Sequence, residues 1–405
     1  MTAASISAAS ERPHLIAVDA RPRAFPATGN ATYLHRMLRE LLTLRPGADW
    51  LFLTHRGLHP TFADVLSHPR VELHVDSGLL AKAGPLWMHG RVPALLREQK
   101  PDLFWGTLAM LPLNYRQRVN GVPAIFNFHD LTSVRAPETM PLWKRWQHKA
   151  LDHRTLAQAE RVICLSETTR DDIQKHMPQV PTVVKNRLRV VYPGAELAPA
   201  EATPPASPVG ALRDFILCVG TLEPRKNQAT LLDGYLQARQ IAESELPALV
   251  FVGRRGWDEA LVRRLTSGEL ESQGVHYLEN AGDGELRWCY QKTSCVALPS
   301  LHEGFGLPVI EAHQLGRPTI LADIPIFREV GGKSRFVPPR SVAGWTQALV
   351  EFFEEFGREC KRAEAVEAGT ALAAASSTAP EFDAEYWSHR ERARVLSDVI
   401  DEVLG

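Results

Sequence analysis

Short apolar runs alternate with longer stretches of helical periodicity along most of the sequence, and this alternation constrains the fold more than any other feature. Runs such as "AIFNFHD" and "ALVFVG" are typical of buried strands, whereas "ATYLHRMLRELLTL" has apolar residues at helical spacing. Strands separated by helices form parallel sheets with helices on both faces. We therefore predict an α/β protein with strands in residues 15–20, 50–54, 71–75, 102–106, 124–130, 161–166, 188–194, 215–220, 248–253, 275–280, 295–300, 318–323 and 335–339.

A proline-rich segment divides this alternation into two halves. Residues 198–208, "APAEATPPASP", contain four prolines and no large apolar side chain, which is typical of a linker. We predict two Rossmann-like, doubly wound domains at residues 1–200 and 211–382, joined by a linker at 201–210. Residues 383–405 are predicted to form a helix that packs back on the N-terminal domain. Ligands bind beyond the carboxyl ends of parallel strands, so two such domains would face each other across a central cleft.

Composition excludes several classes of partner. The 405 residues carry a formal net charge of −1, so no overall field attracts polyanions, and we predict no nucleic-acid partner. The five cysteines form no C-x-x-C pair and lie mostly in apolar runs, which predicts buried free thiols in a reducing compartment. The N-terminal segment has no apolar core, and no run reaches the roughly 18 apolar residues of a spanning helix. We expect a cytoplasmic location.

The segment "LHEGFGLPVIEA" (301–312) follows a predicted strand and carries two glutamates around a glycine-rich turn. Pro308 suits the first turn of a helix, and Gly304 and Gly306 let backbone N–H groups approach a ligand. A helix N-terminus suits phosphate, whereas the carboxylates of Glu303 and Glu311 suit the hydroxyls of a ribose or a pyranose. The combination indicates a sugar nucleotide. The alternative is that Glu311 only favours the helix dipole and that Glu303 is a solvated loop acid.

A second strand end, "CVGTLEPRKNQATLL" (218–232), places two cations before a predicted helix. Arg225 and Lys226 can neutralise the charge of a diphosphate leaving group in the same cleft. Asn227 is placed to cap the helix that follows. The alternative is a basic pair exposed on the surface.

These segments resemble the retaining nucleotide-sugar glycosyltransferases of glycosyltransferase family 4, which have the GT-B architecture. The resemblance extends over most of the chain and is most specific in the second half. The form "GTLEPRKN" is similar to the branch that includes bacterial mannosyl and rhamnosyl transferases of surface polysaccharides. Further similar segments are "DARPRAFPATGNATYLHRMLREL" (19–41), "FNFHDL" (126–131), "RVICLSETTRDDI" (161–173) and "ADIPIFREVGG" (322–332).

The resemblance implies a role for each matching residue. Glu311 would bind the nucleotide ribose and Glu303 the hydroxyls of the donor sugar, while His129 would point at that sugar. Arg225 and Lys226 would bind the diphosphate, and catalytic roles fall on these two, His129 and Glu303. The remaining implied donor contacts are Gly29 in the facing N-terminal loop, Thr221 after the strand, Asn280 and Ala281 in the base-contacting loop, and the backbone of Gly304, Phe305, Gly306 and Leu307.

The implied reaction moves a hexose, with mannose or rhamnose favoured, from a nucleotide-diphosphate sugar to a growing glycan or lipid-linked glycan. Retention by double displacement needs a carboxylate opposite the leaving group, for which Asp130 is the candidate. Front-side attack needs only positioning and charge stabilisation, and we favour it because an Asp after a strand more often caps its loop. No Asp-x-Asp cluster offers metal ligands, so we predict neither a metal nor a cofactor beyond the donor.

Several alternatives stay open at this level. A GDP-linked donor is the first expectation, and a UDP-linked donor is the alternative. Outside the enzymes, a catalytically idle GT-B scaffold protein is the alternative, which measured donor hydrolysis or transfer would decide. A dehydrogenase would need G-x-G-x-x-G where "FPATGNATYL" has one glycine, and "GGKS" (331–334) lacks the first glycine of a P-loop.

Residues 141–154, "PLWKRWQHKALDHR", bear on location. Trp143 and Trp146 lie among basic residues, which is the composition of an interfacial helix. Peripheral contact with the inner face of the cytoplasmic membrane is one interpretation. The other is a surface or cleft-lining helix with its tryptophans packed inward.

Overall fold

The computed structural model describes residues 12–24, 29–78, 84–108, 110–197, 200–242, 246–364 and 382–405, with the backbone alone for 356–364. Two parallel sheets form its framework. The first comprises β1 (Leu15–Asp19), β2 (Asp49–Thr54), β3 (Val71–Val75), β4 (Leu103–Gly106), β5 (Ala124–Phe128), β6 (Arg161–Cys164) and β7 (Leu188–Val190). The second comprises β8 (Phe215–Val219), β9 (Ala248–Gly253), β10 (Val275–Glu279), β11 (Cys295–Leu298), β12 (Thr319–Ala322) and β13 (Arg335–Val337). Each predicted run overlaps one strand, so the predicted α/β class is confirmed.

Helices connect the strands and cover both sheets. Around the first sheet lie α1 (Gly29–Leu44), α2 (Ala63–Leu66), α3 (Gly84–Gly90), α4 (Val92–Gln99), α5 (Tyr115–Arg118), α6 (Thr132–Arg135), α7 (Leu142–Gln158), α8 (Glu167–His176) and α9 (Thr182–Lys185). Around the second lie α10 (Gln228–Ile241), α11 (Glu259–Thr266), α12 (Asp283–Lys292), α13 (Leu307–Gln314), α14 (Pro325–Val330) and α15 (Val342–Glu364), and α16 (His389–Leu404) ends the chain. Short 3-10 turns cover Arg21–Ala24, Pro60–Phe62, Pro137–Thr139, Pro208–Ala211, Pro224–Lys226 and Glu271–Gln273.

The two sheets share one strand order. The first runs β3-β2-β1-β4-β5-β6-β7 and the second β10-β9-β8-β11-β12-β13, with every pair parallel. In each sheet the direction of winding reverses beside the first strand, between β1 and β4 and between β8 and β11. Ligands of doubly wound sheets bind beyond the carboxyl ends of the strands at this reversal. We therefore expect the ligand site at the turns after β8 and β11 and at the facing turns of the first sheet.

Each sheet has its own apolar core. The central strands of both sheets are buried almost throughout, which fits their continuous apolar runs, whereas the edge strand β3 has no buried residue. Cys164, Cys218, Cys289 and Cys295 are buried free thiols, as predicted, and burial raises the pKa of Cys218 to about 12. The described helices include none that is long and apolar enough to cross a bilayer.

The C-terminal helix packs on the first domain, against α1. Ala393, Leu396 and Ile400 of α16 are buried in the same apolar cluster as residues of α1. Ser388 caps α16 by accepting a hydrogen bond from the Glu391 amide at 3.1 Å. The chain therefore crosses between the domains twice.

Candidate active site

β11 leads into a tight turn and a helix N-terminus. In this β11–α13 turn, residues 299–306, Gly306 has a φ of +95°, which glycine adopts without strain. A Cβ there would lie 2.9 Å from Cε1 of Phe327. Pro308 occupies the first turn of α13, as predicted. At the start of α13 Pro308 has no N–H and the Val309 amide donates to the Gly306 carbonyl at 2.9 Å, so the Leu307 amide is the first that could meet an anion.

Glu303 is the centre of an ion cluster in this turn. Its Oε2 lies 2.6 Å from Nη1 of Arg225, and its Oε1 lies 2.6 Å from Nζ of Lys226. Ser300 Oγ donates to Oε1 at 2.7 Å, and Arg225 also donates to Glu223 at 2.6 Å. Burial alone would raise the pKa of Glu303, but the charges of Arg225 and Lys226 outweigh it and hold that pKa well below its usual range. Glu303 is therefore ionised at any pH at which the protein would work.

Glu311 has the opposite electrostatic setting. It lies one turn into α13 and accepts a hydrogen bond from the Tyr290 hydroxyl at 2.7 Å. Burial raises its pKa, and the bond from Tyr290 and the charge of Arg36 only partly oppose that rise. Arg36 belongs to α1, so the first domain contributes to the surroundings of this carboxylate. With only one of its oxygens engaged by Tyr290, the carboxylate can still accept from a diol.

The turn after β8 holds the two cations in place. Asn227 follows the 3-10 turn Pro224–Lys226 with a left-handed φ of +54°. The prediction that its side chain caps α10 is wrong, because Nδ2 donates instead to the carbonyls of Pro299 at 3.0 Å and Pro339 at 2.7 Å. Its Oδ1 accepts from the Thr230 hydroxyl at 2.7 Å rather than from an amide of the helix. These bonds fasten the β8 turn to the β11–α13 turn and keep Arg225 beside Glu303.

Other predicted donor contacts lie at the same edge of the second sheet. Thr221 follows β8, and Asn280 follows β10 with a left-handed φ of +57°. Ala281 packs against the core of the second domain, Phe305 is buried in the β11–α13 turn, and Leu307 begins α13. The structure therefore brings these residues to one edge, and their contacts with a ligand stay predictions.

His129 follows β5 in the first domain and has one fixed tautomer. Its Nε2 lies 2.7 Å from the carbonyl oxygen of Thr107, and since a carbonyl can only accept, Nε2 carries the proton. Burial lowers the pKa of the imidazole, so the ring is neutral at pH 7. Its Nδ1 is buried and has no hydrogen-bond partner in the part of the chain that the structure describes. Such an acceptor suits a ligand hydroxyl.

The predicted N-terminal loop lies on the same side. Gly29 is the exposed first residue of α1, and residues 25–28 before it are outside the described ranges. Tyr33, one turn further along α1, packs edge-on against the His129 ring with the centroids 6.4 Å apart. The start of α1 thus borders the histidine.

The two halves of the cleft touch at Gly304. A Cβ on Gly304 would lie 2.2 Å from the carbonyl oxygen of His129, so contact between the domains requires a glycine here. This reason differs from the one expected from the sequence, which was the approach of a ligand to the backbone. Asp130 accepts from the Thr132 amide at 2.8 Å. Burial alone would raise the pKa of Asp130, but the charge of Arg225, followed by that of His302, lowers it.

Three residues of this site are missing from the sequence prediction. Tyr290 had no local signal, because only the folded sheet brings α12 beside α13. Arg36 had a local signal, because helical spacing puts it on the same face of α1 as Tyr33 and the predicted site residue Gly29. Glu223, two residues before Arg225, stood in the quoted motif but was given no role.

The second sheet thus presents a carboxylate paired with two cations and, further along α13, a second carboxylate. Among the residues with described side chains, no group of three or more His, Cys, Asp or Glu is placed to hold a metal ion. Two doubly wound sheets facing each other over such a cluster define the GT-B class of glycosyltransferases. Residues 213–355 match the family described as Glycosyl transferases group 1, and residues 27–198 match Glycosyltransferase Family 4. The chain therefore contains a domain of each of these two glycosyltransferase families, as the resemblance implied.

Individual relatives refine the comparison. O-antigen chain mannosyltransferase B of Escherichia coli is 27% identical over 335 residues, which cover 78% of this chain and 84% of that protein. The serotype-specific mannosyltransferase WbdA of Escherichia coli is 31% identical over 234 residues, which cover 53% of this chain but only 27% of WbdA. The crystal structure of Anabaena HepE in complex with UDP and glucose has a TM-score of 0.65 at 16% identity, with coverage of 96% of this chain and 100% of HepE. That likeness confirms the GT-B fold.

Proposed function

We propose that this protein is a retaining mannosyltransferase that extends a glycan in bacterial cell-surface polysaccharide synthesis. The observation that carries the proposal is the 2.6 Å network of Glu303 with Arg225 and Lys226 beside the N-terminus of α13. It offers a carboxylate to sugar hydroxyls and two cations to a diphosphate. The similarity to O-antigen chain mannosyltransferase B favours mannose as the transferred hexose.

The donor we expect is GDP-mannose. Two relatives named as mannosyltransferases support a mannose donor, and the GDP form is our first choice of nucleotide. A UDP-sugar is the alternative, since HepE was solved with UDP and glucose. In either case Glu311 would bind the ribose, with Asn280 and Ala281 near the base. No further cofactor takes part in the proposed reaction.

We infer front-side attack as the route to retention. The bond from the anomeric carbon to the β-phosphate oxygen breaks, and the diphosphate keeps the electron pair. The acceptor hydroxyl forms its bond from the same face and gives its proton to the departing phosphate. Asp130 is a poor nucleophile for the other route, because it accepts from the Thr132 amide and faces the charge of Arg225. His129 Nδ1 would accept from a donor hydroxyl and fix the sugar.

Charge on the leaving diphosphate would be stabilised by protein groups. Arg225 and Lys226 are tightly held by carboxylates, so little reorganisation is required when charge develops. The N-terminus of α13 at Leu307 would add to their effect. We therefore propose a metal-independent reaction, which EDTA should leave unchanged.

The proposed acceptor is lipid-linked, and α7 would meet the membrane surface. Trp143 and Trp146 are 63% and 69% exposed, so they are not packed inward. Lys149 lies 5.6 Å from the Trp146 ring centroid, and Lys144 is similarly close to Trp143. Exposed tryptophans with basic neighbours suit the headgroup region of an anionic bilayer. This contact would place the enzyme at the inner face of the cytoplasmic membrane.

Thermal stabilisation by a panel of nucleotide sugars tests the donor. A ligand that binds only the folded state raises Tm, so GDP-mannose should raise Tm while the UDP-, dTDP- and ADP-sugars do not. Glu311→Ala should abolish the shift. The matched control is Glu355→Ala, which removes an α15 carboxylate paired with Arg335 and should keep the Tm shift. No shift with any sugar would contradict the proposal, and binding without transfer or hydrolysis would favour the idle scaffold.

A further inference from the structure

The N-terminus of α8, in the first domain, lies against the β11–α13 turn of the second. Ser166 precedes α8 and is fully buried. Its Oγ accepts from the Thr169 amide at 3.0 Å, which caps the helix, and lies 2.9 Å from the carbonyl oxygen of Gly304. Since a carbonyl only accepts, the serine hydroxyl is the donor in this second bond. The Thr169 hydroxyl also lies 3.4 Å from that carbonyl oxygen, so the first turn of α8 is joined to the turn of the other domain mainly by the shorter Ser166 bond.

This bond fixes the direction of a peptide group in the turn. The peptide bond is planar and trans, so the Gly304 carbonyl and the Phe305 N–H point in opposite directions. With the carbonyl held toward α8, the Phe305 N–H is directed away from α8. The turn is held on a second side as well, because Gly304 lies against the carbonyl oxygen of His129.

A carboxylate of the second domain holds α8 in return. Glu329 of α14 accepts from the amides of Glu167 and Thr168, both at 2.8 Å. It also accepts from the Tyr192 hydroxyl at 2.9 Å. Charge-assisted bonds to the first amides of a helix are strong, and the helix dipole favours a negative charge there. The contact between α8 and the second domain is therefore fastened at two points that use different donors and acceptors.

We propose that Ser166 is a positioning residue for the donor site, which aims the Phe305 amide by holding the Gly304 carbonyl. Glu329 keeps α8 close enough for this bond to form. The donor site is then complete only while the two domains are in contact at α8. This inference rests on the proposed function in one respect, namely that the Phe305 backbone contacts the donor.

The test compares Ser166→Ala with Ser166→Thr and with Ser388→Ala. Ser388 is also a serine cap of a first-domain helix, and its hydroxyl accepts from Glu391 within its own helix. Loss of either cap should lower stability similarly. Only Ser166→Ala should also speed amide hydrogen exchange of residues 303–307 in the ligand-free protein. It should weaken donor binding and raise the donor KM about tenfold, the range of one hydrogen bond, with a smaller change in kcat. Ser166→Thr keeps the hydroxyl and should restore both.

The outcomes separate this inference from the proposed function. Unchanged exchange of residues 303–307 in Ser166→Ala would overturn the positioning role, whether or not any sugar nucleotide binds. Faster exchange with unaltered donor KM would also overturn it. If the wild type binds no nucleotide sugar, the proposed function fails, while the exchange comparison still decides whether Ser166 holds the turn.

Discussion

Glu303→Gln should destabilise the protein through charge alone, because glutamine has nearly the same shape. The wild-type cluster balances Glu223 and Glu303 against Arg225 and Lys226. The variant leaves the two cations with one paired carboxylate, Glu223, and the nearby charge of Asp130. The Arg225 and Lys226 side chains are only 18% and 17% exposed, so solvent screens the excess charge poorly. Breaking a buried pair costs about 3 to 5 kcal/mol, and since Arg225 keeps Glu223 we expect about 3 kcal/mol.

Thermal and urea unfolding would measure this change. For a domain of this size, about 3 kcal/mol lowers Tm by roughly 6 to 12 °C. Inorganic phosphate or GDP should raise Tm more in the variant than in the wild type, since an anion would replace the lost charge. The folded pKa of Glu303 is depressed, so its contribution is present above the unfolded pKa of about 4.3 and is lost as pH falls below it. The wild-type advantage should therefore be full at pH 7 and shrink in acid.

The control for this experiment is Glu355→Gln, which removes one charge from a half-exposed pair with Arg335. It should cost less than about 1 kcal/mol and show no extra response to phosphate. If Glu303→Gln were as stable as the wild type at pH 7, or if phosphate stabilised both equally, the cluster would not hold the cations as described.

Three further predictions follow from the site and from α7. Tyr290→Phe should cost about 2 kcal/mol of unfolding free energy, because a buried hydrogen bond to the Glu311 carboxylate is lost. It should also weaken nucleotide binding, and unaltered binding measured by calorimetry would refute this. Glu311→Gln should remove nucleotide binding yet match or exceed the wild-type Tm at pH 7. The raised pKa of Glu311 means that folding disfavours its ionised form, so the gain in Tm should vanish in acid. A lower Tm of the variant at pH 7 would contradict this prediction. Trp146→Ala should reduce co-sedimentation with anionic liposomes at low salt. Ile241→Ala, which trims an exposed side chain of the second domain, should leave co-sedimentation unchanged. An equal loss of co-sedimentation in both variants, or no co-sedimentation of the wild type, would count against membrane contact.

The strands and the main turns could be predicted because their causes are local. A continuous apolar run between helical stretches has few alternatives to a buried parallel strand, and Pro308 with its neighbouring glycine specifies where α13 begins. Arg225 and Lys226 were predictable as a pair at a strand end. Glu303, with which they are paired, was also predicted as a site residue, but for the hydroxyls of the sugar.

The rest depends on contacts between segments that are far apart in sequence. Asn227 has the residue type of a helix cap, but two carbonyls brought near by folding bind its side chain instead. Tyr290 reaches Glu311 only because α12 and α13 lie on the same sheet. The sequence predicts no more than a helix cap at Ser166, and the additional bond from its hydroxyl to the Gly304 carbonyl forms only because the two domains meet there. A single sequence carries no signal for such pairs.

The most direct test of the account is the transfer reaction itself, followed by NMR of the new linkage. With GDP-α-mannose and a lipid-linked glycan acceptor, in the presence of EDTA, we expect an α-linked mannose in the product. Glu303→Gln and Glu311→Ala should form little product under the same conditions, while Glu355→Ala should form as much as the wild type. A β-linked product, or full activity without Glu311, would contradict the account.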